Sequence, residues 1–211
     1  MPLPASPMLA RTGCLPTGGS WSYEVMWDGF RALVSTENGL RVRSRRGWNM
    51  TTRVPELSEL PPGLVLDGEL VAFDDDGRPH FPLLSRRILN DDRAIPVTLM
   101  IFDVLAINRV SLLTQTYALR RGRLEELQLD GPAWTTPPTF DDGAALFEAV
   151  CIRGLEGVVA KPHRSLYQPG KRTWITIKNR SYWRRESEIA AMHLSQPFGA
   201  PARDLDGKAA V

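Results

Sequence analysis

Apolar and polar positions alternate with a period of two through much of residues 23–107, and a helical period takes over between 117 and 153. Strands are predicted over 23–26 and 30–36, where Glu37-Asn38-Gly39 signals a hairpin turn. The turn leads into 40–45, where apolar and basic residues alternate and one strand face is wet and positive. Residues 65–73 form a further strand, interrupted by Asp67-Gly68 and turned by Asp74-Asp75-Asp76-Gly77. Residues 97–107 are nearly all apolar, as a buried central strand requires. Leu119, Leu124 and Leu127 mark one side of a helix, and Asp141-Asp142 caps a second that carries Leu146, Phe147 and Val150. Residues 155–161 and 173–178 return to strand.

Strands and helices mix without a regular βαβ rhythm, which predicts an α+β fold with largely antiparallel sheets. Val25, Leu66, Val71, Val104, Val158 and Ile177 are the expected interior positions. Residues 1–20, rich in Pro and Gly, read as an extended N-terminal arm; 21–190 read as one domain and 191–211 as a disordered tail.

The composition is that of a soluble globular protein: 43% hydrophobic, 24% charged, with no apolar run long enough to cross a bilayer. The N-terminus lacks a signal-peptide pattern. Cys14 and Cys151 make neither a disulfide framework nor a zinc site, and a reducing cytoplasm is the expected compartment. Of the 26 basic residues only Lys161, Lys171, Lys178 and Lys208 are lysines. Any chemistry that needs an amine must draw on the last quarter of the chain.

That shortage matters at Met26-Trp27-Asp28-Gly29-Phe30-Arg31. In order along the chain follow Ser44-Arg45-Arg46-Gly47, Thr52-Arg53-Val54-Pro55-Glu56-Leu57, Leu66-Asp67-Gly68-Glu69-Leu70, Ile101-Phe102-Asp103-Val104-Leu105, Leu155-Glu156-Gly157-Val158-Val159-Ala160-Lys161 and Trp174-Ile175-Thr176-Ile177-Lys178. Singly, each is as readily a turn or a piece of core. Jointly they resemble the nucleotidyltransferase motifs of ATP-dependent DNA ligases over residues 7–190, with small bacterial repair and end-joining ligases the nearest in pattern. The first segment matches Lys-x-Asp-Gly-x-Arg except that Met26 replaces the lysine.

The resemblance implies a nucleotidyltransferase (ATP-grasp-like) domain with antiparallel sheets flanking a nucleotide cleft. It assigns the nucleophile position to Met26 with Asp28 beside it. Glu24 goes to the adenine amino group, Phe102 to the adenine face, and Arg31 and Arg45 to ribose or phosphate. Glu69 and Glu156 go to Mg²⁺, and Lys161 and Lys178 to nucleotide, Lys178 at the α-phosphate. ATP and Mg²⁺ are the implied cofactors. DNA, gripped non-specifically through its phosphates, is the implied partner, together with a separate OB-fold or end-joining partner; no membrane is involved.

Three departures qualify this. A thioether has no proton to lose and forms no stable N–P bond, so Met26 cannot be the covalent catalyst. The last motif usually holds two lysines one residue apart, and Thr176 replaces the first. Arg109 stands where a glycine turn is usual. An OB-fold domain is expected to be absent, because the last twenty or so residues are of low complexity. The sequence leaves open a non-catalytic ATP- or DNA-binding remnant, an active or accessory domain using another lysine or a partner chain, a lysine altered in the protein studied, and an RNA ligase or capping relative.

Overall fold

The computed structural model describes residues 3–182. Eleven strands and three helices occur in the order β1 (Leu9–Thr12), β2 (Trp21–Met26), β3 (Phe30–Ser35), β4 (Arg41–Ser44), β5 (Leu64–Val71), α1 (Phe81–Leu89), β6 (Thr98–Ile107), β7 (Val110–Ser111), α2 (Tyr117–Glu126), β8 (Asp130–Gly131), β9 (Trp134–Thr135), α3 (Gly143–Ile152), β10 (Gly157–Pro162) and β11 (Arg172–Lys178) among these residues. Two sheets result. The smaller runs β1-β11-β10-β2; the larger runs β4-β3-β5-β6-β9-β8, with β7 paired to β6. Most pairings are antiparallel, while β1–β11 and β6–β9 are parallel.

The period-two pattern has a direct structural result. The smaller sheet turns Tyr23, Val158, Ala160, Ile175 and Ile177 outward onto Leu146 and Val150 of α3. Its other face meets the larger sheet through Met8, Leu33, Val65, Leu105, Tyr167 and Trp174. The larger sheet's far face carries the main core, where Val34, Leu66, Leu70, Leu99 and Val104 pack against Leu84 and Ile88 of α1. A cleft lies between the two sheets, and much of its walls is strand buried on both sides.

Several expectations change. Val25 is only half-buried, because β2 is an edge strand and Val25 lies near its end; the other five expected interior residues are buried. Leu119 is 57% exposed. The inner stripe of α2 is Tyr117, Arg120, Arg121 and Leu124, so two arginines occupy positions that an apolar stripe would fill. Arg120 makes that possible through a fully buried bidentate pair with Asp103 at 2.8 Å, with its third nitrogen donating to the Gln115 carbonyl. The helix α1 is not among the elements that the pattern predicts. Pro82 sits in its first turn and His80 caps it, Nδ1 accepting from the Leu83 amide at 3.2 Å. The expected Asp142 cap forms, its carboxylate accepting from Ala144 and Ala145. Part of the expected arm is strand, since β1 pairs with β11. The expected tail, 191–211, lies outside the described residues.

Candidate nucleotide cleft

Cross-strand register places the cleft residues. On the smaller sheet Glu24 lies opposite Val159, and Val159 opposite Thr176; Met26 lies opposite Gly157, and Gly157 opposite Lys178. Directly opposed residues project to the same side of a sheet. Met26 and Lys178 therefore flank a position with no side chain, at the outer end of the cleft. A Cβ on Gly157 would come 2.3 Å from the Ile177 carbonyl oxygen, so only glycine fits there.

Lys161 lies four residues from Gly157 along β10, about 13 Å at the rise of an extended strand. It is buried at the inner end. Its Nζ donates to Glu24 at 2.8 Å and to the Phe102 carbonyl at 3.3 Å. The same ammonium sits 4.3 Å from the ring centroids of both Phe102 and Trp174. Tyr117 also donates its hydroxyl to Glu24. Burial pulls the Lys161 amine below the usual lysine range against the opposing pull of Glu24 and Asp103, and burial pushes the Tyr117 hydroxyl well up. Lys161 is thus a fixed part of the cleft floor, four strand residues from the Met26–Gly157–Lys178 row.

The facing wall belongs to the larger sheet. Arg31 donates through two nitrogens to Asp67 at 2.6 Å and to the Met8 carbonyl at 3.0 Å. Tyr167 donates to the same carboxylate at 2.6 Å. The guanidinium lies 4.6 Å from the Phe102 ring centroid, so that ring is bordered by two cations. Glu69 pairs in register with Arg31 and is half-buried. Burial pushes its carboxyl up to about 8, with Asp67, Glu156 and Asp28 adding to the rise and Arg31 opposing it.

The two walls meet around these carboxylates. Lys178, 54% exposed at its side chain, donates to Glu156 at 3.1 Å. Tyr182 donates to Asp28 at 2.8 Å. The structure therefore brings Glu24, Met26, Asp28, Arg31, Glu69, Phe102, Glu156, Lys161 and Lys178 to one cleft. Arg45 is not brought in: it is exposed in the turn after β4 and makes no hydrogen bond or ion pair to this group among the described residues. Thr176 donates its hydroxyl to the Arg11 carbonyl at 3.3 Å. Two cleft residues, Tyr117 and Tyr167, lie outside every quoted motif and carried no sequence signal, and Trp174 was read as part of a motif without a role of its own.

The family model described as "ATP dependent DNA ligase domain" matches residues 7–178. The multifunctional non-homologous end joining protein LigD of Mycolicibacterium smegmatis is 35% identical over 91% of this chain, which spans 28% of that protein. DNA ligase C1 of the same organism is 34% identical over 90% of this chain and 59% of its own length. A solved structure titled "mycobacterial DNA ligase D complexed with ATP and MES" superposes with a TM-score of 0.71 at 36% identity, covering 83% of this chain and 60% of that one. The motif order, the two-sheet cleft and these matches converge: this chain belongs to the ATP-dependent DNA ligase domain family and folds as its adenylation domain.

Proposed function

We propose that this domain holds ATP in the cleft between its sheets and does not attach AMP to itself. The observation that carries the reading is the row Met26–Gly157–Lys178. Residue 26 lies in register with Gly157 and, across it, Lys178; a lysine amine at 26 would reach an α-phosphate bound over Gly157 in this reading, and the side chain there is a thioether.

The base end suits adenine. Glu24 keeps acceptor capacity beyond its bonds to Tyr117 and Lys161, and Phe102 offers a ring on which a base can stack. Arg31, held rigid by Asp67, sets a fixed positive charge beside the ribose. Lys178 binds the α-phosphate.

Magnesium fits the carboxylates at the outer end. Glu69, Glu156 and Asp28 lie close enough that the other two raise the Glu69 carboxyl further above its ordinary range, beyond the larger effect of burial. Among the described residues no group of three or more metal-binding side chains forms a protein-only cage. Mg²⁺ commonly takes one or two carboxylates and completes its shell with phosphate oxygens and water. Glu69 and Glu156 would hold it, and it would neutralise phosphate charge and orient the pyrophosphate. Arg41 and Arg43 lie opposite Ser35 and Leu33, on the cleft-facing side of the larger sheet, and offer a non-specific path for DNA phosphates with Arg45 beyond them. An OB-fold or end-joining partner that grips the DNA completes this reading, in the cytoplasm.

Intact-mass analysis after incubation with ATP and Mg²⁺ tests this. Unshifted protein is expected. A second reading, that Lys178 has become the nucleophile, is favoured by its place in the same row; an AMP adduct mapped to Lys178 would establish it and remove the first.

A further inference from the structure

The cleft does not end at Met26. Along β2 and β10 the direction from the base end to the phosphate end passes Ser22 and Lys161, then Glu24 and Val159, then Met26 and Gly157. The next residues outward are Asp28 on one strand and Glu156, Leu155 and Gly154 on the other. These four line a cavity of about 140 Å³ together with Met26, Arg78, His80 and Tyr182. At about 30 Å³ per water, that is room for roughly five waters, the scale of a diphosphate.

Arg78 and His80, on the hairpin between β5 and α1, line this cavity, Arg78 exposed and His80 half-buried. The guanidinium of Arg78 makes no hydrogen bond or ion pair among the described residues, although its backbone amide is tied to Asp74 at 2.8 Å. His80 accepts from the Leu83 amide through Nδ1, which leaves its neutral ring with the proton on Nε2 as a donor. The hairpin is itself anchored, since the His80 amide donates to Ala72 and the Asp74 amide to Arg78. The carboxylates that share the cavity are already engaged, Asp28 by Tyr182, Glu156 by Lys178 and Asp74 by the turn.

We infer that Arg78 and His80 form the seat of the β- and γ-phosphates, so that this single domain itself distinguishes a nucleoside triphosphate from a monophosphate. This rests on the nucleotide reading of the cleft. Arginine suits the task because its planar fork matches two phosphate oxygens at once.

Calorimetry with ATP and with AMP, both with Mg²⁺, separates the two claims. Wild-type protein is expected to bind ATP at least about tenfold more tightly than AMP, through charge-assisted phosphate bonds. Arg78→Ala is expected to bring ATP close to AMP while leaving AMP binding unchanged, and Arg78→Lys to restore part of the difference. His80→Asn keeps a helix cap and should cost a smaller part of ATP affinity alone. Magnesium pyrophosphate should compete with ATP in wild-type protein and not in Arg78→Ala. An unchanged ratio of ATP to AMP affinity in Arg78→Ala, or an equal loss for both, overturns the assignment and leaves the nucleotide cleft standing. Binding of neither nucleotide to wild-type protein removes both.

Discussion

Residue 26 carries the proposed change in chemistry, while a buried ion pair elsewhere in the domain carries stability. Asp103 and Arg120 are both fully buried, and each satisfies the other. Removing one partner leaves an uncompensated buried charge, so Arg120→Met should lower unfolding free energy by about 3–5 kcal/mol in urea titration. The double change with Asp103→Asn should regain part of that loss; strict additivity would mean the two do not interact. Glu69 gives a pH signature. Its folded pKa is raised to about 8 from 4.5, mainly by burial. The folded state thus holds a proton that the unfolded chain gives up above its ordinary carboxylate value. The stabilisation is fully present at acidic pH below that value and is lost as pH rises through the folded pKa. Nucleotide-free protein should therefore melt at lower temperature at pH 8.5 than at pH 5.5, and Glu69→Gln should reduce that difference. No change in Glu69→Gln would place the pH dependence elsewhere.

At the scale of elements, turns and caps carry small, separable contributions. Asp142 caps α3, which covers the outer face of the smaller sheet, and Asp142→Ala should cost about 0.5–2 kcal/mol in thermal or urea denaturation. Arg109 occupies the β6–β7 turn at φ 68°, a left-handed conformation that disfavours any side chain. Arg109→Gly should raise stability by up to about 1 kcal/mol, the relief of strain being offset by glycine's freedom in the unfolded chain. The strands were legible in the sequence because β4 alternates apolar and basic residues and β6 is a nearly continuous apolar run, buried on both faces as a central strand is. The helices were less so. In α2 the inward positions include Arg120 and Arg121, whose partners, Asp103 and the Pro137 carbonyl, lie elsewhere in the chain and invisible to a periodicity. The helix α1 begins at a histidine cap, an unusual signal, and follows an acidic turn that drew attention to itself. The site was legible as an ordered set of motifs. Its floor was not, because Tyr117 comes from the start of α2, Tyr167 from the loop between β10 and β11 and Trp174 from β11, and only the tertiary fold brings the three together.

At the scale of the domain, the proposed reading makes the two sheets a clamp on a nucleotide, intact at the base end and altered at the phosphate end. Lys161 is locked between Glu24, Phe102 and Trp174 and cannot reach the Met26 row, which narrows the surrogate amines on the cleft strands to Lys178. The arginine face of β4 should bind duplex DNA with a log–log salt slope of about −0.9 per phosphate contacted, and Arg43→Ala should reduce its magnitude by about 1. Salt-independent binding would contradict that electrostatic origin. The central claim is that the cleft is a ligase nucleotide site silenced at one side chain. It is tested most directly by the intact mass of Met26→Lys after incubation with ATP and Mg²⁺, beside unmodified protein. Positioning by the cleft makes attack on the α-phosphate effectively unimolecular, so restoring the amine should restore the reaction. The account predicts a partial AMP adduct on the new amine at position 26 in the variant, a larger one when Thr176→Lys is added, and none on the unmodified chain. Unlabelled protein in both variants, or an adduct on the unmodified chain, would contradict it.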